Sequence, residues 1–254
     1  MSDNHESPAF SADDHAAYMQ QITELAADYA PAPEVLQFAR RIGITAVAGP
    51  TGSGKTTLFE LSGVPVVQGI TSRAPRAEHG ERDGVGFRRY LDLRQPDARF
   101  EVQEKLSQGL YVQAASPRAN GHFYGSEPAD YTARNMGLNT LTSELYRLAD
   151  NNPYGRLAGV FVVPESYDEW QARWLGRSPN LPDDYKARMD EARDAIAQAL
   201  DDTDIYFLLN ARGQQEEAAK TLRDIAEGYE LPLEKQITAR LAATDILREL
   251  TARA

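Results

Sequence analysis

The chain has 254 residues, of which 42% are hydrophobic, and a formal net charge of −11 at pH 7. This hydrophobic fraction excludes a disordered chain, and the acidic balance argues against general binding to nucleic acids or anionic membranes. Without cysteine the chain forms neither disulfides nor a zinc–thiolate site, and no apolar run is long enough to span a membrane.

Helices and strands alternate along the predicted secondary structure. Apolar residues at helical spacing and short β-branched runs give the periodicity behind each prediction. Helices are predicted over residues 12–29, 34–40, 54–61, 92–108, 127–136, 165–176, 183–201, 213–228 and 233–252. Strands are predicted over 42–48, 65–70, 138–143, 157–163 and 205–209, with short strands between 109 and 125. This alternation indicates an α/β fold with a mostly parallel sheet.

A glycine-rich segment separates the predicted strand 42–48 from the following helix. It reads Gly49-Pro50-Thr51-Gly52-Ser53-Gly54-Lys55-Thr56, which fits G-x-x-x-x-G-K-[ST], and Thr57 follows it. Glycine lets backbone N–H groups approach a phosphate, and the N-terminus of the next helix favours the same anion. Lys55 can then reach the β- and γ-phosphates, and the Thr56 hydroxyl can bind Mg²⁺. The context predicts a P-loop that binds ATP and Mg²⁺ through residues 49–57.

Further segments, in the same order, resemble those of guanylate kinases, the family that transfers a phosphoryl group from ATP to GMP. Residues 71–76, T-S-R-A-P-R, resemble T-T-R-x-P-R, and residues 80–87, G-E-R-D-G-V-G-F, resemble G-E-x-x-G-x-x-Y. Residues 121–126, G-H-F-Y-G-S, resemble G-x-Y-Y-G-[ST], and residues 173–178, R-W-L-G-R-S, resemble R-L-x-x-R-G. Arg188-Met189 stands where the family has a downstream R-L segment, and residues 209–212, L-N-A-R, are similar to V-N-D-D.

The resemblance covers residues 42–228 and implies a domain organisation. It implies a P-loop NTPase three-layer fold with an inserted acceptor-binding subdomain near 69–126 and a helical lid near 173–188. Outside it lie an N-terminal helical extension, 1–41, and a C-terminal helix, 229–254. That helix carries apolar residues at helical spacing, which are Ile237, Leu241, Ala242, Ile246, Leu247 and Leu250. They either pack on the protein's own core or form a homodimer contact.

Arginines and hydroxyl groups supply the predicted acceptor chemistry. The guanidinium groups of Arg73 and Arg76 can hold an anionic monophosphate with bidentate hydrogen bonds, and Tyr124 and Ser126 can add hydroxyl donors. Arg177 and Arg188 can stabilise charge on the transferring phosphoryl group, as Lys55 does from the P-loop. The predicted catalytic residues are therefore Lys55, Arg76, Arg177 and Arg188. The resemblance adds Asn210 to the ATP site.

Three positions depart from the family pattern where the family reads the acceptor. Gln113, or Ala115, replaces a Glu that accepts from guanine, and a Gln amide presents a donor to one of the two guanine N–H groups. Ser143 or Glu144 replaces a missing Asp, and Phe87 replaces a Tyr that donates a hydroxyl group. These changes indicate either an altered acceptor preference or a nucleotide-binding module that has lost catalysis.

The leading interpretation is ATP-dependent phosphoryl transfer to a nucleoside monophosphate, with GMP or dGMP favoured by the resemblance. Another phosphorylated acceptor, a sugar phosphate included, is an alternative, and a regulatory or interaction module with little catalysis is another. Intact Lys55 and Thr56 favour the enzyme. An ATPase acting on a macromolecule would need an acid after an apolar run, which the sequence does not offer convincingly. The polar, acidic N-terminus leads us to expect a cytoplasmic protein without nucleic-acid or membrane partners.

Overall fold

The computed structural model describes residues 11–75, 80–116, 121–176 and 185–253. It divides into two compact units. The first unit combines the described residues up to Arg41 with Val67–Thr132, and the second combines Ile42–Val66 with the residues from Ala133 onward. The predicted N-terminal extension therefore belongs to the same unit as the predicted acceptor insert.

The elements follow one another in an alternating order. The α-helices are α1 (Ala12–Ala27), α2 (Pro33–Ala39), α3 (Lys55–Ser62), α4 (Pro96–Ser107), α5 (Thr142–Asp150), α6 (Tyr167–Leu175), α7 (Tyr185–Asp201), α8 (Gln215–Glu227) and α9 (Leu233–Ala252). The strands are β1 (Gly43–Ala48), β2 (Ile70–Thr71), β3 (Arg82–Asp83), β4 (Gly86–Phe87), β5 (Arg89–Tyr90), β6 (Gln113–Ala115), β7 (Tyr124–Ser126), β8 (Asn135–Asn139), β9 (Arg156–Pro164) and β10 (Tyr206–Asn210).

A parallel sheet in the order β10-β9-β1-β8 forms the centre of the second unit. All six residues of β1 are buried, as expected for a strand covered on both faces. Val47, Val160 and Leu208 pack with apolar residues of α3 and α8. On the other face, α9 contacts β9 and β10, and the guanidinium of Arg240 lies over the ring of Phe207. The layers confirm the predicted α/β fold with a mostly parallel sheet.

A smaller sheet in the order β5-β2-β7-β6 organises the first unit. Its core joins Ile70, Ala114 and Phe123 of the sheet region with Val102 and Leu106 of α4, and with apolar residues of α1, which are Tyr18, Met19 and Ile22. After α1, the Tyr29 hydroxyl donates to the carbonyl oxygen of Tyr111 at 2.6 Å and accepts from its N–H at 2.8 Å. The N-terminal helix is thus part of this core.

Three predicted elements are wrong. The predicted strand 65–70 is reduced to Ile70–Thr71, and Val66 forms only an isolated bridge. The predicted helix 127–136 is a 3-10 turn at Pro128–Asp130, followed by β8. The predicted strand 138–143 is also wrong, because β8 ends at Asn139 and α5 begins at Thr142. Leu145 and Leu148 are buried on α5, and their spacing suits a helix packed by one face.

The apolar stripe predicted on the last helix divides between two faces of α9. Ile246 and Leu250 are buried with Ala239 and Ala243, which is packing on the protein's own core. Ile237 and Leu241 of the stripe are exposed, and a homodimer contact through the stripe stays a prediction. None of the helices in the described ranges is both long and apolar enough to cross a membrane.

Candidate functional site

The predicted P-loop connects β1 to α3 in the second unit, and its glycines are required by the backbone. Gly49 and Gly54 have φ angles of +140° and +93°, which side chains rarely adopt. A Cβ at Gly49 would lie 2.4 Å from the Val162 carbonyl oxygen, and one at Gly54 would lie 2.3 Å from Nδ2 of Asn210. The loop can therefore lie against β9 and the end of β10 only with glycine at these two positions.

Side chains from three elements hold the carbonyl groups of this loop. Lys55, the first residue of α3, donates from Nζ to the carbonyl oxygens of Gly49 at 2.7 Å and Pro50 at 3.2 Å. Asn210, at the end of β10, donates from Nδ2 to the Ser53 carbonyl oxygen at 2.7 Å. The indole Nε1 of Trp170, on α6, donates to the Thr51 carbonyl oxygen at 2.7 Å.

The N–H groups of the same loop are available to a ligand. In a trans peptide the N–H points away from the preceding carbonyl, so the N–H groups of Gly52 and Gly54 point away from Trp170 and Asn210. Neither N–H donates a hydrogen bond to any described residue. Ser53 Oγ is buried without a partner among the described residues. Inward amide groups beside the N-terminus of α3 fit a phosphate group.

The surroundings of Thr56 offer a nucleotide-bound Mg²⁺ ion one hydroxyl group. Thr56 is the second residue of α3, and its side chain is exposed. Across the described ranges, no group of three or more His, Asp or Glu side chains could hold a metal ion. At the carboxyl end of β8, next to β1, stand Asn139 and Thr140, and the Thr140 N–H donates to the Val47 carbonyl oxygen at 3.0 Å. A Mg²⁺ ion here would be held mainly by Thr56, nucleotide phosphates and water.

A cavity of about 420 Å³ opens beside the loop, within the size range of small-ligand sites. Its lining residues are Gly52, Gly54, Thr57, Glu169, Ala172, Arg173, Asn210, Arg212 and Gln215. Arg173 crosses it, with Nε 3.0 Å from a Glu169 carboxylate oxygen and Nη2 donating to the Asn210 carbonyl oxygen at 2.9 Å. The sequence pattern indicated no site role for Glu169, Arg173 or Trp170. Of these three, only Arg173 could have been found from the sequence, because it begins the segment that resembles R-L-x-x-R-G.

The first unit brings four predicted acceptor residues onto or beside one face of its sheet. In the antiparallel register Gln113 lies opposite Ser126, and Tyr124 lies opposite Thr71. Residues two apart along a strand share a face, so the side chains of Gln113, Ser126 and Tyr124 line the same face, called the polar face below. The Ser126 hydroxyl lies 2.8 Å from that of Tyr131.

Arg73 follows β2 at the edge of this face. It forms a two-pronged ion pair with Glu81, in which Nη1 and Nη2 lie 2.9 and 3.1 Å from the carboxylate oxygens. Tyr124 also interacts with this guanidinium. Burial acts to lower the pKa of Arg73, but the contacts with Glu81 and Tyr124 outweigh it and leave the pKa raised. Arg73 therefore stays charged beside the polar face.

Other predicted residues are placed elsewhere or lie outside the described residues. Arg76 and Arg177 fall outside the described ranges, so their predicted roles stay predictions. Arg188 lies half-buried on α7, and Ser143 is exposed on α5 rather than on a strand. Phe87 is 5% exposed in β4, where it packs as an apolar residue instead of offering a donor.

The parallel sheet, the glycine loop and α3 define the chain as an α/β protein of the P-loop NTPase class. No protein-family profile matches the chain. It is 27% identical to the guanylate kinase of Legionella pneumophila (strain Paris), over 75% of this chain and 88% of that protein. It is 26% identical to the guanylate kinase of Cutibacterium acnes, over 66% of this chain and 84% of that protein.

A solved structure of a guanylate kinase is less similar to this chain than these sequence relatives are. The guanylate kinase from Anaplasma phagocytophilum aligns with a TM-score of 0.49 and 17% identity, over 80% of this chain and 93% of that chain. The sequence relatives agree with the resemblance of the motifs. The chain is a divergent relative of the guanylate kinases.

Proposed function

We propose that this protein is a nucleoside monophosphate kinase that transfers the γ-phosphoryl group of ATP to a monophosphate acceptor, with GMP or dGMP as the first choice. The observation that carries the proposal is the P-loop, whose carbonyl groups are held by Lys55, Trp170 and Asn210 while the N–H groups of Gly52 and Gly54 have no partner among the described residues. Relatives that are named guanylate kinase support the acceptor class.

On this proposal the second unit binds ATP. Residues 49–57 hold the phosphates, and the cavity lined by Arg173, Asn210 and Arg212 takes the nucleoside end. Lys55 exchanges its loop carbonyl partners for phosphate oxygens, whose growing charge it stabilises. ATP would supply the phosphoryl group, and Thr56 would hold a Mg²⁺ ion that offsets the charge of the phosphates. Arg177 and Arg188 are proposed to contact the transferring group.

The acceptor is proposed to bind the polar face of the first unit. Arg73 and Tyr124 hold its phosphate, together with Arg76, while Ser126 and Gln113 meet its base. No general base is needed, because the acceptor phosphate is itself an anionic nucleophile. Ser143 is kept as a proposed contact only through the family resemblance. The Gln113 amide, which offers one acceptor beside one donor, can pair with N1–H and O6 of guanine but leaves the guanine 2-amino group without an acceptor.

The test is ADP formation from ATP·Mg²⁺ with a panel of nucleoside monophosphates and sugar phosphates, and without any acceptor. We expect acceptor-dependent turnover that is highest with a purine monophosphate. An Arg76→Ala variant should raise the acceptor KM far more than the ATP KM. Binding of ADP without turnover on any nucleotide or sugar phosphate would contradict the kinase and leave a nucleotide-binding module, an outcome consistent with the lack of an acid at Asn139 and Thr140.

A further inference from the structure

Among the described residues of α6, Trp170 is the one whose side chain forms a hydrogen bond with the P-loop, at Thr51. Its Nε1 donates to the Thr51 carbonyl oxygen at 2.7 Å, and the side chain is almost fully buried. A Cβ at Gly52, the next residue, would lie 3.5 Å from the same nitrogen. The indole therefore contacts the loop at the Thr51 carbonyl and lies close to Gly52, the next residue.

Aromatic rings fix this indole in place. Trp174 stacks on Trp170 with ring centres 6.4 Å apart and planes 10° apart, and Tyr185 of α7 stacks on Trp174 at 5.0 Å and 8°. Tyr167 meets Trp170 edge-on at 6.0 Å. Buried aromatic pairs of this kind restrict rotation of the rings. These contacts favour a single direction for the Nε1 donor.

The hydrogen bond from Trp170 holds a peptide group that could otherwise flip. The peptide group between Thr51 and Gly52 is planar, so its carbonyl and N–H point in opposite directions. Gly52 has a φ of +84° and, as glycine, tolerates both signs of φ, which would let this peptide group flip. Within the described residues, no other donor reaches the Thr51 carbonyl. Among the described residues, Trp170 is therefore the donor that holds this peptide group with the Gly52 N–H directed away from α6.

We propose that Trp170 is a positioning residue for nucleotide binding, which holds the Gly52 N–H in the direction that a phosphate needs. The inference rests on the proposed nucleotide site. It does not require Trp170 to touch the nucleotide, because the indole acts through the peptide group of Thr51 and Gly52. Trp174 and Tyr185 stack behind the indole, and neither side chain forms a hydrogen bond with a described residue of the loop.

The first experiment measures ADP binding by calorimetry in Trp170→Phe, with Trp174→Phe as the matched control. Trp170→Phe keeps an aromatic ring in the stack but loses the donor, and should weaken ADP binding by about tenfold, the size of one hydrogen bond. Trp174→Phe keeps an aromatic ring stacked on the indole and leaves the Nε1 donor of Trp170 in place, so it should change ADP binding less than about twofold. Acceptor KM should be unchanged in Trp170→Phe, which a general loss of structure would not allow.

A second experiment records its signals on the wild-type protein, so this readout does not depend on the folding of Trp170→Phe. The chain has two tryptophans, so its NMR spectrum contains two indole N–H signals, which Trp174→Phe assigns. The Trp170 N–H should exchange slowly with solvent and shift when ADP is added. If the wild type binds ADP and Trp170→Phe binds it equally well, the role of Trp170 is overturned while the nucleotide site stands. The same holds if the Trp170 N–H exchanges rapidly with solvent. A wild type that binds no ADP would overturn the nucleotide site itself.

Discussion

Asn210 and Ser53 are joined by a hydrogen bond of 2.7 Å between residues 157 positions apart in the chain. Asn210 is 2% exposed at the carboxyl end of β10, and Ser53 stands in the loop that follows β1. The bond fixes the loop relative to a strand that is not the neighbour of β1, since β9 lies between them. The amide of Asn210 fills the space beside Gly54. The shape of the loop therefore depends on having glycine at position 54 and asparagine at position 210.

Gly54 can be tested against Gly63, because both have positive φ angles and flank the same helix. A Cβ at Gly54 would lie 2.3 Å from Asn210 Nδ2, whereas one at Gly63 would meet nothing within 4 Å. Gly63→Ala should cost only left-handed strain, about 1 kcal/mol of unfolding free energy. Gly54→Ala should cost about 2 kcal/mol more and weaken ADP binding more than tenfold. Urea unfolding and calorimetry measure both, and equal effects of the two variants would contradict the close packing at Gly54.

Lys55 is predicted to serve catalysis and not the fold. Its Nζ contacts two loop carbonyl groups, which water can replace in Lys55→Ala. Loss of its charge at the transferring phosphate should lower kcat by at least about 100-fold while the melting temperature changes little. Lys220→Ala, which removes an exposed ion pair with Asp224, is the matched control and should leave kcat unchanged. Unchanged turnover in Lys55→Ala would show that the loop does not hold the reacting phosphate.

The sequence predicts the second unit well because its elements have strong periodicity. The run 42–48 became β1, and the helices predicted at 165–176 and 233–252 became α6 and α9. The glycine motif predicted a loop between strand and helix, since its residue types have few other uses at that spacing.

The errors and omissions come from long-range contacts. Residues 138–143 contain Leu138 and Leu141, which also suit a strand, and only packing against the sheet decides that α5 begins at Thr142. Trp170 lies 119 residues from Thr51, so no local pattern indicates their bond. The place of α1 in the first unit depends likewise on contacts of Tyr18 and Ile22 with distant residues.

Arg73 is predicted to determine acceptor affinity. Its guanidinium is oriented by Glu81 at the edge of the polar face, where a bidentate phosphate contact can form. Arg73→Met should raise the acceptor KM by at least about tenfold and leave the ATP KM within about twofold. Arg94→Met, which loses a more exposed pair with Asp92, is the control and should change neither value. An equal rise in both KM values for Arg73→Met would remove this residue from the acceptor site.

His122 should make stability fall in mild acid. Burial lowers its pKa below the ordinary 6.5, and Arg73 and His15 lower it further. The unfolded chain therefore binds the proton more readily, so this contribution is present above pH 6.5 and is lost as the pH falls through that value towards the folded pKa. An NMR titration should place the pKa of His122 below 6.5. Arg73→Met should raise it, and urea unfolding of His122→Gln should lack this pH-dependent component.

Gln113 offers a direct test of base recognition. The side chain is half-buried beside Ser126 and forms no hydrogen bond with another described residue, so its amide can meet a ligand. Its oxygen can accept from the N1–H of a purine while its nitrogen donates to O6, which treats IMP and GMP alike. A carboxylate can instead accept from both N1–H and the 2-amino group of guanine. Gln113→Glu should therefore raise the ratio of kcat/KM for GMP to that for IMP by about tenfold.

The control for that change is Gln108→Glu, the same substitution at an exposed position after α4. It adds the same charge to the first unit without touching the polar face, so it should leave the ratio for GMP and IMP unchanged. A shift of similar size in both variants would mean that net charge, and not contact with the base, determines acceptor choice. An unchanged ratio in Gln113→Glu would place the base away from β6, even if Arg73 holds the phosphate.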